Sequence, residues 1–335
     1  MLRNLLNTWR RAESDPMAFA RVEVEYATAV SEMTADDEGF FGGWIDIERP
    51  LVDDKEWHQY KASVISPLPA DAGTVKAVGE ILIPPPSALF GVISDIDDTV
   101  IQSRVSNFLQ AARTVMVGNA RTRLPFPGVA AFYQALRNGA GGDERNPVFY
   151  VSSSPWNIYD VITEFMDLQR IPRGPLMLRD WDIGFGSLSS ERHFEHKGVA
   201  IRNIMRLYPE MRFILIGDTS QHDPEIYHQI VSEFPDRVKA IYIRDVTGTA
   251  ERSSSVKALA EKVLAARSTL VLAEDTVGAA KHAADHGWID PAALPDVQKE
   301  KRADEGRDDT KIPAPDGGEP TSGSAPTVIG KTGGA

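Results

Sequence analysis

The 335-residue sequence contains no cysteine, which excludes disulfides, thiolate nucleophiles and cysteine-ligated metals. No apolar run approaches the roughly 18 to 20 residues that a membrane-spanning helix needs. Basic residues are the minority, 36 Lys and Arg against 48 Asp and Glu, and a net charge of −12 argues against a general nucleic-acid-binding surface. The N-terminus also lacks the apolar core and cleavage site of a signal peptide. These absences predict a cytoplasmic protein in a reducing compartment.

Changes in composition divide the chain into five segments. Residues 1–19 place Leu and Trp at helical spacing among arginines, which predicts a basic amphipathic helix. Residues 20–86 contain short alternating runs and predict a small all-β, sandwich-like domain. Residues 87–268 alternate strands with helices, and residues 269–290 form a C-terminal helical segment. Residues 291–335 are rich in Pro, Gly and charged residues, which predicts a disordered tail.

The alternation of strands and helices predicts a Rossmann-like, mainly parallel sheet in the central segment. The predicted strands are Phe90–Ser94, Val148–Ser152, Leu176–Leu178, Arg212–Ile216 and Lys239–Ile243. The predicted helices are Val129–Arg137, Ile158–Leu168, Gly198–Leu207, Glu225–Phe234 and Ser254–Ala266. In the β domain, the candidate strands are Arg21–Tyr26, a stretch entered from the turn at 36–44, Trp57–Ile65 and Thr74–Ile83.

Two aspartates directly follow the first strand of the central segment. Phe90–Ser94 is short, apolar and bounded by turn residues, which predicts a strand buried on both faces. Asp95, Asp97 and Thr99 come next, at the end of the strand where open α/β sheets place their ligand sites. Two carboxylates this close repel each other unless a cation or a shared proton relieves them. The pattern predicts a metal site, an acid/base pair, or both.

Three more polar groups follow predicted strands or begin predicted helices, in chain order. Ser152 ends one strand, Lys197 begins a helix, and Asp218 follows another strand with Asp223 five residues later. Each has a simpler alternative: Ser152 and Asp223 both stand where they can cap a helix, and a single lysine is usually on the surface. Their order on these elements indicates one shared site.

Phosphoryl transfer gives each of these residues a task. Asp95 is the predicted nucleophile, because a carboxylate that forms an aspartyl-phosphate divides a very slow hydrolysis into two easier steps. Mg²⁺ is the predicted cofactor, since carboxylates and phosphate oxygens are its usual ligands. The predicted metal ligands are Asp95, Asp97, Asp218 and Asp223.

The remaining groups assist the same reaction. Lys197 supplies positive charge and Ser152 a hydroxyl donor at the transferring phosphoryl group. Asp97 is predicted to protonate the leaving alcohol and then to activate water. The catalytic prediction therefore comprises Asp95, Asp97, Ser152 and Lys197. The predicted substrate-binding residues are Thr99, Ser153, Trp156 and Asn157.

Taken together, Asp95-Ile96-Asp97-Asp98-Thr99, Ser152, Lys197 and Gly217-Asp218 with Asp223 resemble the four ordered motifs of the haloacid-dehalogenase superfamily. The exact residues of three longer segments point to a more specific family: Ile93–Thr99, Tyr150–Asn157 and Ile216–Pro224. They resemble the actin-patch-associated phosphatidate phosphatase catalytic domain, which is distantly similar to the lipins, in a bacterial member. The resemblance covers Ala88 to Val246.

This resemblance implies a haloacid-dehalogenase-like core and Mg²⁺-dependent hydrolysis of phosphatidate to diacylglycerol. It places Asp95 at the nucleophile position, Asp97 at the acid/base position, and Ser152 and Lys197 at the phosphate-binding positions. A phospholipid substrate also implies peripheral contact with the inner membrane surface. The N-terminal helix and arginines such as Arg121, Arg123, Arg170 and Arg173 are candidates for that contact.

Other functions remain open on the residues alone. A phosphatase of a soluble metabolite or a polynucleotide end would use the same catalytic groups. A non-catalytic phosphate- or lipid-binding module is disfavoured, because no catalytic position is missing. A dehalogenase is disfavoured too, because Asp97 and Asp218 suit ester hydrolysis better than displacement of a halide. The basic helix has the simpler alternative of docking on its own domain.

Overall fold

The structure is a computed structural model that describes residues 17–48, 54–68, 75–101, 126–179, 190–247, 249–266 and 268–306, with the backbone alone for 190–195. The chain divides into two compact units, and the boundary lies between Pro85 and Pro86. Residues 1–16 of the predicted N-terminal helix, Arg121, Arg123 and the end of the predicted tail lie outside the described residues.

The first unit contains one four-stranded antiparallel sheet. Its strands are β1 (Arg21–Tyr26), β2 (Ala29–Thr34), β3 (Trp57–Ser66) and β4 (Lys76–Leu82), in the order β2-β1-β3-β4. Alternate residues of β1 and β3 form its small core, as a sheet with one buried face requires. The buried residues of this core are Val22, Val24, Tyr26, Tyr60 and Ala62.

Two predictions for this unit are wrong. The described residues show no second sheet, so the sandwich-like arrangement does not form within them. The second strand is Ala29–Thr34, which pairs with β1, whereas residues 36–44, predicted as a turn that enters a strand, are turns and irregular structure throughout. Asp36 ties that loop locally, because its carboxylate accepts hydrogen bonds from the backbone N–H of Glu38 and of Phe40. Such local bonds compete with strand pairing.

The second unit contains a six-stranded sheet in which every pairing is parallel. Its strands are β5 (Gly91–Asp95), β6 (Val148–Pro155), β7 (Leu176–Arg179), β8 (Phe213–Asp218), β9 (Val238–Arg244) and β10 (Leu270–Ala273). The sequence predicted all of these except β10. Every residue of β5, β6 and β8 is buried, which explains their nearly continuous apolar character.

Helices cover both faces of this sheet. They are α1 (Val129–Asn138), α2 (Tyr159–Leu168), α3 (Ser190–Leu207), α4 (Asp223–Glu233), α5 (Ala250–Ala265), α6 (Thr276–Asp285) and α7 (Leu294–Glu305). One core joins α1, α2, α6 and α7 to alternate strand residues such as Val92 and Ile214. The intervening strand residues face the other way, where Phe149 packs its ring 5.4 Å from the ring of Tyr208, just beyond α3. Among the described helices, none is long and apolar enough to cross a membrane.

The prediction of disorder from residue 291 is wrong for residues 291–306, which form a short 3-10 turn and α7. This helix is polar and buries only Val297. Its carboxylates bind the free N–H groups at the start of α1, where Glu300 accepts from Ala131 N at 2.6 Å and Asp304 accepts from Gly128 N at 3.0 Å. Anionic side chains are stabilising at a helix N-terminus. Tertiary contacts therefore order a segment whose composition predicts disorder.

The strand order places a crevice beside β5. The order is β10-β9-β8-β5-β6-β7, so the chain first runs from β5 outward through β6 and β7 and then returns to β8 on the other side of β5. Open parallel sheets bind their ligands at the carboxyl ends of strands at such a reversal. Here β5 ends at Asp95 and β8 at Asp218.

Candidate active site

A tight turn follows the first carboxylate at the end of β5. Val100 N and Ile101 N both donate to Ile96 O, and Asp98 has a positive φ of 56°. Asp is one of the residues that adopt this conformation most readily. The turn gives a reason for an aspartate at position 98, for which sequence analysis gave no role. It leaves Asp95 and Asp97 buried, at 1% and 3% exposure.

The loop after β8 brings in two more carboxylates. Asp218 ends β8, and Asp223 is the first residue of α4. Asp223 Oδ2 accepts a hydrogen bond from Asp218 N at 3.3 Å, so its carboxylate points back to the strand instead of capping α4. Gly217 makes this possible, because a Cβ there would lie 2.5 Å from Asp223 Oδ2. The alternative that Asp223 is a helix cap does not describe this geometry.

Lys197, on α3, places its ammonium between the end of β5 and the start of α4. Its Nζ lies 2.7 Å from Asp95 Oδ1 and 2.8 Å from Asp223 Oδ1, and the residue is 2% exposed. Burial opposes its charge, but the carboxylates of Asp223 and Asp95 outweigh burial and raise the pKa of Lys197. The lysine is therefore a permanent cation inside the site.

Asp95, Asp218 and Asp223 form a cluster that can hold a metal ion, with one ligand atom from each lying within 4.8 Å of the others. Asp95 Oδ2 is buried and has no hydrogen-bond partner among the described residues, and Oδ1 meets Lys197 by proximity, without hydrogen-bond geometry. Burial and the neighbouring carboxylates raise the pKa of Asp95 and raise that of Asp218 to about 6. Three buried carboxylates against one ammonium leave negative charge that a hard divalent cation fits.

Asp97 turns away from this cluster, although it was a predicted metal ligand. Ser152 Oγ donates to Asp97 Oδ2 at 2.7 Å, and Ser154 Oγ lies 3.3 Å from Oδ1. Ser152 Oγ also accepts from Ser154 N at 2.9 Å, within the last part of β6, where the pairing with β7 becomes irregular. The structure thus brings Ser152 to Asp97 and assigns three of the four predicted ligands to the cluster.

The predicted substrate-binding residues occupy different positions around the site. Thr99 donates to Asp218 Oδ2 at 3.3 Å and is buried. Ser153 Oγ is buried without a hydrogen-bond partner in the described part of the chain. Trp156 and Asn157 lie in the 3-10 turn after β6, and the Trp156 ring stacks on Tyr159 with centroids 5.8 Å apart.

Sequence analysis missed two arginines near the acidic cluster. Arg244 ends β9 in register with Asp218, donates to Thr276 Oγ1 at 2.7 Å and stacks 4.2 Å over the ring of Phe126. A charged residue at the end of a buried strand was the available indication, the same one that identified Asp95. Arg252, on α5, contacts the loop between Asp218 and Asp223, and no local pattern pointed to it.

The fold and the site together define a parallel α/β unit with an acidic, lysine-containing centre at its strand reversal. Residues 90–245, which contain Asp95, Lys197, Asp218 and Asp223, match the family model described as Phosphatidate phosphatase APP1, catalytic domain. The resemblance to the phosphatidate phosphatase catalytic domain, predicted from the motif residues, is confirmed over this range. The wider superfamily and a bacterial origin stay predictions.

Two relatives each align over just under half of the chain. Phosphatidate phosphatase APP1 of Saccharomyces cerevisiae is 32% identical over 155 residues, 46% of this chain and 25% of that protein. An uncharacterised protein of Schizosaccharomyces pombe is 28% identical over 159 residues, again 46% of this chain and 25% of that protein. The alignment therefore spans a quarter of the length of these relatives. A PilB minor pilin variant from Streptococcus sanguinis aligns over 90% of this chain and 97% of its own with a TM-score of 0.29 at 7% identity, too low to inform the fold.

Proposed function

We propose that the α/β unit is a Mg²⁺-dependent phosphatase that hydrolyses a phosphate monoester, phosphatidate, through an aspartyl-phosphate on Asp95. One observation carries the proposal: the buried Asp95 carboxylate is paired with Lys197, and its ligand atom lies within 4.8 Å of those of Asp218 and Asp223. Similarity to the catalytic domain of a phosphatidate phosphatase supports the choice of reaction and of substrate.

Asp95, Asp218 and Asp223 are the residues that would hold the cation. Bound Mg²⁺ supplies positive charge that lets an anionic carboxylate approach an anionic phosphate. Lys197 adds a fixed ammonium at the same point, because two carboxylates hold its Nζ at 2.7 and 2.8 Å. The buried Ser153 hydroxyl is a donor for a phosphoryl oxygen.

The reaction then proceeds in two steps on the chain's own residues. A carboxylate oxygen of Asp95 bonds to phosphorus while the bond from phosphorus to the ester oxygen breaks, and Asp97 gives its proton to the departing alkoxide. Water next attacks the phosphorus of the aspartyl-phosphate, Asp97 takes its proton, and inorganic phosphate leaves as the Asp95 carboxylate is restored. Ser152 and Ser154 fix the orientation of Asp97 during both proton transfers.

Phosphatase activity with and without Mg²⁺ tests the proposal. The substrates are phosphatidate in vesicles and a panel of soluble monoesters. Wild type is expected to prefer phosphatidate and to lose activity in EDTA. Turnover of phosphatidate no faster than that of the soluble esters would refute the lipid assignment and favour a soluble-metabolite phosphatase. Activity that EDTA leaves intact would refute the metal requirement.

Substitutions separate the roles of the two catalytic aspartates. Asp95→Asn is expected to abolish turnover, whereas Asp98→Asn, the same chemical change in the turn, is the matched control because Asn also accepts a positive φ. Asp97→Asn with p-nitrophenyl phosphate is expected to release one nitrophenolate per site in a burst, since this leaving group needs no proton, and then to stall. Unchanged turnover in Asp95→Asn would show that the covalent step is wrong.

A further inference from the structure

One arginine from outside the family-matched segment binds the loop that carries two of the clustered carboxylates. Arg252, on α5, donates from Nη2 to Gln221 O at 2.7 Å and from Nε to Thr219 O at 3.1 Å, in the loop from residue 218 to residue 223. Its Nη1 and Nη2 also bind the carboxylate of Glu225, in the first turn of α4. One planar guanidinium therefore contacts the middle of the loop and the helix that follows it.

The start of the loop has a separate anchor. Thr219 N donates to Arg244 O at 2.9 Å, which continues the pairing of β8 with β9. The Thr219 hydroxyl accepts from Val246 N at 3.0 Å and from Thr247 N at 3.2 Å. Asp218 is therefore fixed without Arg252. The far half of the loop is different, because Gln221 O is the carbonyl that the guanidinium binds just before Asp223.

Arg252 acts on the cluster through charge and through position, and the two effects have opposite signs. The hydrogen bonds of Glu225 raise the pKa of Arg252, and Asp218 and Asp223 add to this effect, so the guanidinium is a cation close to the cluster. A nearby positive charge by itself weakens the binding of another cation. The contact with the loop carbonyls instead fixes the spacing of the carboxylates, which strengthens binding.

We propose that Arg252 is a positioning residue for the divalent cation and that its hold on the loop outweighs its charge. Arginine suits this task because its planar fork binds two carbonyls and a carboxylate at once, whereas lysine offers a point charge. The inference rests on the proposed function, because it assumes that Asp95, Asp218 and Asp223 bind Mg²⁺.

The test measures cation binding without substrate, by calorimetric titration of the full chain with Mg²⁺ and by electron paramagnetic resonance with Mn²⁺. Arg252→Met is expected to weaken binding by about 10- to 100-fold, the usual effect of losing an outer-shell partner. Arg252→Lys keeps the charge but loses the fork, so an intermediate loss is expected. Arg202→Met is the matched control, because Arg202 forms a similar two-point pair with Glu233, with Nη2 2.7 Å from Oε1, and among the described residues it has no hydrogen bond to the loop.

The outcomes separate this inference from the proposed function. If Arg252→Met and Arg202→Met both bind Mg²⁺ as tightly as wild type, Arg252 has no positioning role. If Arg252→Met binds Mg²⁺ more tightly than wild type, the charge of Arg252 dominates, and the inference is also overturned. A wild-type chain that binds neither ion overturns the inference together with the metal requirement. If Arg252→Met does not fold by circular dichroism, Arg252→Lys decides, since affinity equal to wild type in that variant shows that the fork is dispensable.

Discussion

Replacing Lys197 by Met removes the only ammonium that the described structure places between Asp95 and Asp223. Met has a similar length and an apolar chain, so packing is largely kept while the charge is lost. The lysine side chain is 3% exposed, and its partners are 1% and 0% exposed. The variant leaves two buried carboxylates without a counter-charge.

The size of the effect follows from this burial. Breaking a buried ion pair by removing one partner costs about 3 to 5 kcal/mol, because the remaining charge stays buried and uncompensated. The partly exposed pair of Lys301 with Asp275 is the contrast, with Nζ 2.6 Å from Oδ2 and side chains 25% and 38% exposed. Such a pair contributes about 0 to 1 kcal/mol. Lys197→Met is therefore expected to destabilise the protein far more than Lys301→Met.

Urea unfolding in EDTA, followed by far-ultraviolet circular dichroism at the helix band, measures the difference. All described α-helices lie in the α/β unit, so this band reports on that unit. Adding Mg²⁺ is expected to recover part of the loss in Lys197→Met, because a cation replaces the missing ammonium. The double variant that combines Lys197→Met with Asp95→Asn is expected to lose less stability than the sum of the losses in the two single variants. A loss in Lys197→Met no larger than that in Lys301→Met would refute the buried-charge argument.

Three further predictions concern the same centre. Gly217→Ala is expected to weaken Mg²⁺ binding in calorimetry, since its Cβ would displace Asp223. Gly278→Ala, whose Cβ has only a 3.6 Å contact, is instead expected to raise the free energy of unfolding measured in urea by about 0.5 to 1 kcal/mol. Mg²⁺ at 100 times its Kd is expected to stabilise wild type by about 2.7 kcal/mol, and an unmoved urea midpoint would contradict a folded-state metal site. In EDTA, the free energy of unfolding is expected to fall as pH rises from about 4 through 6. The reason is that the pKa of Asp218 is raised to about 6, so the folded state keeps a proton that the unfolded state has lost. In Asp218→Asn, the free energy of unfolding should depend less on pH over this range.

Much of the α/β unit could be predicted because its determinants are local. β5, β6 and β8 are short apolar runs between turn residues, and their buried faces impose that composition. Each ends in polar residues that sheet topology collects at one edge. β10 was missed because Leu270–Ala273 lies at the start of residues 269–290, which were predicted to be a helical segment.

The direction of each site side chain was less predictable. Asp97 stands two residues after Asp95, yet one carboxylate meets Ser152 and the other Lys197. β5 ends at Asp95 and a turn begins at Ile96, so the two side chains need not share a direction, and two aspartates with this spacing give no indication of it. The prediction of Asp97 as a metal ligand treated neighbouring carboxylates as if they shared one direction.

The sequence by itself determined which residues gather at the centre, because strand and helix periods are local and parallel strands end at a common edge. Tertiary structure alone decided which carboxylate faces which partner, that the polar α7 is ordered on the start of α1, and that Arg252 binds the loop of Asp218. The contact between Arg252 and Thr219 joins residues 33 positions apart, and the contact between Glu300 and Ala131 joins residues 169 positions apart. Only the folded chain brings such groups within hydrogen-bond distance, so no local pattern encodes them.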